Sequence, residues 1–233
     1  MRSETRSLHF VVDAAPVCGS RAPMSRSFDG PSRAGALPLV GGVLALDFCN
    51  TCSGRGSEGL QEHLRSAPDL VAWARHAGIL DEEKEEALLR LCGSAAFGLE
   101  LLEKALGLRE AIYRLDASIA LGEVPAQADL DAIARAHAAS LSKGQLTTRE
   151  GGFGWSWPVE SAAEETIIGP ITASAMSLLA QADHARLKQC PGHHCGWLFL
   201  DTTKNKTRRW CEMEVCGNRA KQRRHRDRST TGR

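Results

Sequence analysis

The chain has 233 residues, 42% of them hydrophobic and 5% aromatic, so it can form one large domain or two smaller ones. No stretch approaches eighteen uninterrupted apolar residues, which excludes an ordinary membrane-spanning helix. The N-terminus contains Arg and Ser without the apolar segment of a secretory signal. We therefore expect a cytoplasmic protein whose eight cysteines stay reduced.

The formal net charge of +1 hides a strong asymmetry along the chain. Residues 188–233 carry twelve Lys or Arg and four Asp or Glu, a balance of +8. The preceding residues carry 17 basic and 24 acidic side chains, a balance of −7. An acidic body with a basic tail predicts a polyanionic partner for the tail alone.

The N-terminal region contains few signals of regular structure. Residues 1–36 are rich in Ser, Arg, Pro, Gly and Ala without a sustained period, which predicts a disordered leader. Met24 is a second candidate for the start of the protein. Residues 37–48 form a short apolar segment that predicts a strand or a buried turn.

Helix signals dominate the following part of the chain, as its abundance of Ala and Leu favours. Ser66, Pro68 and Asp69 form a capping signal for a helix that Gly78 ends. Asp81 caps a second helix over residues 82–92.

Two longer helices are predicted over residues 94–121, ended by Gly122, and about 126–142. Their predicted apolar faces are Leu101, Leu102, Ala105, Leu108, Ile112 and Leu115 in the first, and Leu130, Ile133, Ala134, His137 and Leu141 in the second. The alternating segment that follows, with a Gly151-Gly152 pair at its centre, predicts a β-hairpin. A last helical stretch is predicted over 161–187, interrupted or kinked at Gly169-Pro170.

Four cysteines near the C-terminus are the most specific signal in the chain. They form two C-x4-C pairs with fifteen residues between the pairs: Cys190, Cys195, Cys211 and Cys216. Thiolates at short, matched spacing can converge on one tetrahedral Zn²⁺. Disulfides, free core cysteines, or His193 or His194 as a ligand are the alternatives, less favoured in a reducing compartment and a tight knuckle. A closed four-thiolate site predicts one structural zinc per chain.

The residues around these cysteines predict a small metal-dependent module. The first pair forms a knuckle, residues 196–201 and 208–211 predict two short strands around a turn, and a basic helix begins near Glu212. This order is typical of a treble clef, and so short a segment needs metal to fold.

The pattern C-x4-C-G-W-x-F-x-D followed by R-R-W-C-x-M-x-x-C-G-N-R-x-K resembles the CGNR zinc finger family. The segments ALDFCNT (45–51), DLVAWARHAGIL (69–80) and LREAIYRL (108–115) resemble the ABATE domain that precedes this finger. The resemblance covers about residues 37–228. It implies a stress-related bacterial transcription regulator with an α+β body and a DNA-binding finger.

The boundaries that follow are a disordered leader over 1–36, an ABATE-like body over 37–187, the finger over 188–228 and a disordered tail over 229–233. The fold class is α+β, with a mostly helical body, a small β-hairpin and a treble-clef-like finger. The candidate nucleic-acid contacts are basic side chains able to grip phosphates or guanine edges: Arg208, Arg209, Arg219, Lys221, Arg223, Arg224 and Arg226. Arg219 has an equally favoured role inside the finger.

Several other polar or aromatic residues have structural interpretations. Trp197, Phe199 and Trp210 predict a small core over the metal, with base stacking as the alternative. Asp201 is expected to accept a hydrogen bond from Arg208 or Arg209. For the C-x-x-C at 49–52, two incidental thiols near a structural turn are favoured, and a redox or second metal role is the alternative. Asp47, Asn50 and Thr51 could instead line a small-ligand pocket.

The sequence thus predicts a zinc-dependent regulator that binds double-stranded DNA. Its body would bind a small-molecule effector, form a homodimer, or both. An RNA-binding module and a small-molecule-binding body with a purely structural finger are the alternatives. No Walker loop, nucleophile elbow, HExxH or paired-carboxylate signature is present, so we expect no enzymatic activity.

Overall fold

The computed structural model describes residues 33–55, 59–149 and 151–231. Its α-helices are α1 (Leu44–Cys49), α2 (Ala67–His76), α3 (Glu82–Cys92), α4 (Ala95–Leu121), α5 (Gln127–Lys143), α6 (Val159–Ala162), α7 (Glu165–Gln181) and α8 (Asn218–Thr231). Three antiparallel pairs join the strands β1 (Cys52–Ser53) with β2 (Gln61–Glu62), β3 (Gln145–Arg149) with β4 (Gly152–Ser156), and β5 (Leu187–Gln189) with β6 (Leu198–Leu200). This arrangement confirms the predicted α+β class.

Local capping chemistry begins the helices α2 and α3. The Ser66 hydroxyl accepts a hydrogen bond from the Asp69 amide, and the Asp69 carboxylate accepts from the Ser66 hydroxyl and the Arg65 amide. The Asp81 carboxylate accepts from the Lys84 amide at the start of α3 in the same way. Both predicted N-termini are confirmed.

Replacing Ser66 by Ala is expected to lower the free energy of unfolding by about 1 kcal/mol, because an amide of the first turn loses its acceptor. Ser94 is a matched control, since it occupies the same position before α4 without a side-chain capping hydrogen bond. Urea denaturation of the two variants measures the difference. Equal losses for Ser66→Ala and Ser94→Ala would show that the cap contributes nothing.

Helix α4 is the centre of the body. It contacts α1, α2, α3 and α5 and also both strands of the β5–β6 pair. Its buried face contains Leu101, Ala105, Ile112 and Leu115, which confirms the predicted apolar face. Gly122 ends the helix in the left-handed conformation (φ +74°), as the sequence predicted.

The prediction of a strand or turn over residues 37–48 is wrong, because Leu44–Cys49 forms the helix α1. This helix packs between α4 and α7, and Ala45, Leu46, Phe48 and Cys49 are all buried. A six-residue helix buried on most sides has no amphipathic period, so its sequence cannot be told from that of a buried strand.

Two details of the later helices also differ from the predictions. Helix α5 buries Asp129, Ile133 and Ser140, whereas the predicted Leu130 is exposed. Helix α7 is continuous through Pro170 and ends at Gln181 instead of residue 187. The hairpin β3–β4 is confirmed, with Leu146 opposite Trp155.

Trp157 explains why glycine stands before the proline of α7. Its indole N–H donates to the Ser140 carbonyl at 2.7 Å, which joins α5 to the segment before α6. A Cβ atom at Gly169 would lie 2.4 Å from the Trp157 ring. The helix can therefore approach the indole only with glycine at this position.

Three segments lie at the predicted boundaries between leader, body, finger and tail. Ala34–Ala36 forms a short 3₁₀ helix that packs on α2, while residues 1–32 of the predicted leader lie outside the described residues. Leu187 and Leu198, one from each strand of β5–β6, belong to the hydrophobic core of the body. Helix α8 extends to Thr231, past the predicted end of the finger.

Candidate metal centre and basic surface

The sulfur atoms of Cys190, Cys195, Cys211 and Cys216 all lie within 4.8 Å of one another. The Cys195–Cys211 and Cys211–Cys216 sulfur distances are 3.5 and 3.6 Å. Zn–S bonds of about 2.3 Å in a tetrahedron give sulfur separations of about 3.8 Å. A disulfide would need about 2.05 Å. The donor set and its spacing therefore fit a tetrahedral metal ion.

The strands β5 and β6 hold the first cysteine pair in a tight knuckle. The Cys190 amide donates to the Trp197 carbonyl at 2.8 Å, and the Cys195 amide donates to the Gly192 carbonyl at 3.0 Å. A Cβ atom at Gly192 would lie 3.0 Å from the Cys195 Cβ and 3.2 Å from the Cys216 sulfur. Glycine therefore lets the knuckle close over the cluster.

The second cysteine pair lies on irregular chain and a single π-helical turn (Met213–Gly217). The predicted strand over residues 208–211 is wrong, because β6 pairs with β5, which precedes the knuckle. The Cys216 amide donates to the Glu212 carbonyl and places this sulfur where α8 begins. Cys216 therefore lies directly before the basic helix, which begins at Asn218 instead of near Glu212.

A small apolar cluster covers the metal centre. Phe199 is fully buried and packs with the buried cysteines of the cluster. Three partly buried side chains pack against this group: Val40, Trp197 and Trp210. This cluster confirms the predicted core over the metal. His193 and His194 are exposed and contact each other at 2.6 Å, outside the four-sulfur group.

Asp201 organises the loop between the two cysteine pairs. Its buried carboxylate accepts hydrogen bonds from the Lys188 ammonium at 2.6 Å, from Thr203, and from the Arg208 backbone amide at 2.8 Å. Burial alone would raise the pKa of Asp201, but these hydrogen bonds lower it below its usual range. The predicted hydrogen bond from Arg208 is confirmed, and its donor is the backbone amide.

Arg208 binds backbone carbonyls of both the finger and the body. Its guanidinium donates to the carbonyls of Leu200, Trp210, Cys211 and Val40, and lies 4.4 Å from the centroid of the Phe199 ring. These four hydrogen bonds occupy four of the five N–H groups that an arginine side chain has. We therefore remove Arg208 from the predicted nucleic-acid contacts.

The finger is attached to the body through backbone groups of β6 and the knuckle. The Asn50 side chain donates to the Leu198 carbonyl and accepts from the Leu198 amide, both at 2.9 Å. The Leu200 amide donates to the Gly41 carbonyl at 2.8 Å. The Tyr113 hydroxyl donates to the Gly196 carbonyl at 3.0 Å. The finger and the body therefore form one structural unit.

The residues of the alternative ligand pocket all have structural partners. Asn50 binds Leu198, and the Thr51 hydroxyl donates to the Phe48 carbonyl and accepts from Arg109. The Asp47 carboxylate accepts from the Gly41 amide at 2.7 Å, while burial raises the pKa of Asp47 to about 6. Because Asn50 and Thr51 are buried as well, we do not extend the ligand-pocket hypothesis to these residues.

A buried ion-pair network, formed by Arg55, Glu62, Arg109 and Glu110, was not predicted. Arg109 is fully buried; it pairs with Glu62 through two nitrogens and with Glu110 at 3.0 Å. Arg55 binds Glu110 in a bidentate pair, at 2.7 and 2.8 Å. Burial would raise the pKa of Glu110, but its hydrogen bonds and proximity to the two arginines lower it. Only the adjacent opposite charges at 109 and 110 signalled this network in the sequence.

The six remaining predicted nucleic-acid contacts are all exposed. Helix α8 carries Arg219, Lys221, Arg223, Arg224 and Arg226, all exposed. Arg209 lies beside the second cysteine pair, with its guanidinium 5.2 Å from the centroid of the Trp210 ring. The predicted cationic groups other than Arg208 are therefore exposed, five of them on α8 and one beside the second cysteine pair.

The fold and the cysteine cluster define a helical α+β body with a zinc-finger-type metal site. The ABATE family model, described as "Putative stress-induced transcription regulator", matches residues 42–182. The CGNR zinc finger model matches residues 186–229. The chain belongs to the ABATE family and has a C-terminal CGNR zinc finger. These are regulator and zinc-finger families rather than known enzyme families.

A search of curated proteins found no match. Among the described residues, no helix has both the length and the apolar character needed to cross a membrane.

Proposed function

We propose that this protein is a zinc-dependent transcription regulator that binds double-stranded DNA through helix α8 and Arg209. The observation that carries the proposal is the position of the four-cysteine cluster. Cys216 lies in the turn that begins the basic helix, so metal binding and presentation of the cationic surface depend on the same residues.

The metal has a structural role in this proposal. Four cysteine sulfurs complete a tetrahedral coordination shell and leave no position for a substrate or a water molecule. The apolar cover from Phe199, Trp197 and Trp210 also limits access to the cluster. Zn²⁺ would therefore fix the geometry of the finger without taking part in a reaction.

The proposed DNA contacts are the exposed cations Arg209, Arg219, Lys221, Arg223, Arg224 and Arg226. Phosphate neutralisation by such residues gives affinity and positions the helix, whereas contacts with base edges give specificity. Helix α8 has a mean hydropathy too low for a buried face, and the described part of α8 contacts mainly the turn before it. This composition favours a polyanionic partner over packing within the chain.

The body would supply regulation in this proposal. A single finger makes few base contacts, so a homodimer would be needed to read an extended site. The family description supports a stress-linked regulatory role. Action in the cytoplasm, at the nucleoid, and a small-molecule effector as the input are further parts of this proposal.

The test is DNA binding by the full-length, zinc-loaded protein over a salt series, with a random duplex and a genomic fragment pool. We expect Arg223→Gln with Arg224→Gln to weaken duplex binding by about tenfold or more and to reduce the salt slope by about 1.8, at about 0.9 per lost phosphate contact. The matched control is Arg90→Gln with Arg135→Gln, which removes the same charge from exposed positions on α3 and α5.

Several outcomes would contradict the proposal. Absence of duplex binding at low salt would refute the DNA-binding proposal. Equal losses of affinity in the two double variants would show that binding depends on net charge and not on helix α8. Tighter binding of single-stranded RNA than of duplex would favour the RNA-binding alternative. Enrichment of particular fragments from the genomic pool would support a sequence-reading regulator.

A further inference from the structure

A cleft of about 1040 Å³ lies between the finger and the body, beside the metal centre. The finger wall includes Trp197, Trp210 and Arg209, and the body wall includes Arg33 and His63. We infer that this cleft is a second ligand site, which binds a nucleotide: an aromatic base carried on a phosphate. This inference goes beyond duplex binding by helix α8.

The charge of the cleft fits a phosphate group. Six arginines and only two acidic residues line it among the described residues. Five of the arginines also belong to the proposed DNA surface, and the sixth, Arg33, directly precedes the 3₁₀ helix that packs on α2. The charge of Arg33 also acts on His63 and helps to lower the pKa of that histidine, after the larger effect of burial. Guanidinium groups bind phosphate in bidentate geometry, so cations on two walls can hold one phosphate group between them.

The aromatic lining fits a base. Trp197 is half-buried, and its indole N–H donates to the Ser53 hydroxyl at 3.1 Å, which fixes the ring against the body. Ser53 also contacts the His63 ring nitrogen at 3.0 Å. Trp210 is half-buried as well and lies beside Arg209. Fixed indoles next to arginines provide the stacking and charge that bind nucleotide bases.

The size and shape of the cleft separate this ligand from duplex DNA. Its volume lies at the upper end of small-molecule sites. Bases in a duplex are paired and stacked, so they cannot reach an indole in a cleft, whereas a free nucleotide or an unpaired nucleotide of a single strand can. These two sources share one chemistry, and the experiment below distinguishes them.

The test uses full-length, zinc-loaded protein titrated with ADP and with a short oligothymidylate, followed by calorimetry and tryptophan fluorescence. Pyrophosphate and adenosine are the partial ligands. We expect ADP or the oligonucleotide to bind at least about tenfold more tightly than either partial ligand. Arg33→Ala should weaken that binding by about tenfold or more, because a charge-assisted contact with the phosphate is lost.

The control variant is Arg135→Ala, an exposed arginine of α5 that does not line the cleft. Binding of ADP identifies a free nucleotide as the source, and binding of the oligonucleotide alone identifies a single strand. Failure of both, equal binding of pyrophosphate and ADP, or equal effects of Arg33→Ala and Arg135→Ala would overturn the inference. Duplex binding unchanged in Arg33→Ala would show that Arg33 serves nucleotide binding alone, although the cleft shares its other five arginines with the proposed DNA surface.

Discussion

Replacing Cys211 by Ser is expected to remove the metal and to destabilise the body together with the finger. The cluster holds the knuckle between β5 and β6, and Leu187 and Leu198 of these strands belong to the core of the body. Structural zinc contributes about 10–16 kcal/mol in isolated finger peptides. A loss of only about 4 kcal/mol here would lower the melting temperature by about 8–16 °C.

The measurement combines metal analysis of the purified protein with thermal unfolding followed by circular dichroism. The metal content should fall from one ion per chain to near zero in Cys211→Ser. Cys92→Ser is the matched control, because Cys92 lies at the end of α3 outside the four-sulfur group. An unchanged melting temperature in the metal-free variant would show that the finger and the body unfold independently.

Replacing Arg109 by Met is expected to lower the free energy of unfolding by about 3–5 kcal/mol. The fully buried guanidinium pairs with Glu62 and Glu110, so its removal leaves Glu62 without its guanidinium partner and leaves Glu110 with Arg55 alone. Methionine fills a similar volume, which separates the loss of charge from the loss of packing. The midpoint of urea denaturation measures this change.

Two further variants identify the cause of that loss. Arg90→Met disrupts the exposed Arg90–Glu86 pair on α3 and should cost no more than about 0.5 kcal/mol. Arg109→Met combined with Glu62→Gln should recover part of the stability, because one unpaired carboxylate is then neutral. A double variant no more stable than Arg109→Met alone would show that the charge imbalance is not the cause.

The parts of the fold that depend on local chemistry could be predicted from the sequence. Ser66 and Asp81 each begin a helix, and Gly122 ends one, through interactions with residues only a few positions away. The metal site belongs to the same class, because its two cysteine pairs are individually local and their spacing is characteristic. The comparisons confirm the family resemblance that these motifs gave.

The features that the sequence did not predict depend on contacts between distant residues. Strand β5 has three residues and exists because β6 and α4 lie beside it. The role of Arg208 depends on carbonyl groups at Val40 and Leu200, and a pattern of basic residues cannot reveal such partners. The sequence therefore indicated that Arg208 contacts nucleic acid, whereas its guanidinium binds carbonyl groups within the protein.

The rigid attachment of the finger to the body would fix how two copies of this chain bind DNA together. The hydrogen bonds of Asn50 with Leu198, and of Arg208 with Val40, leave helix α8 no flexible linker about which to rotate. In a symmetric pair, the distance between the two helices would then be set by the bodies alone. Such an assembly would accept a single half-site spacing, and inserting a few base pairs between the half-sites would abolish cooperative binding.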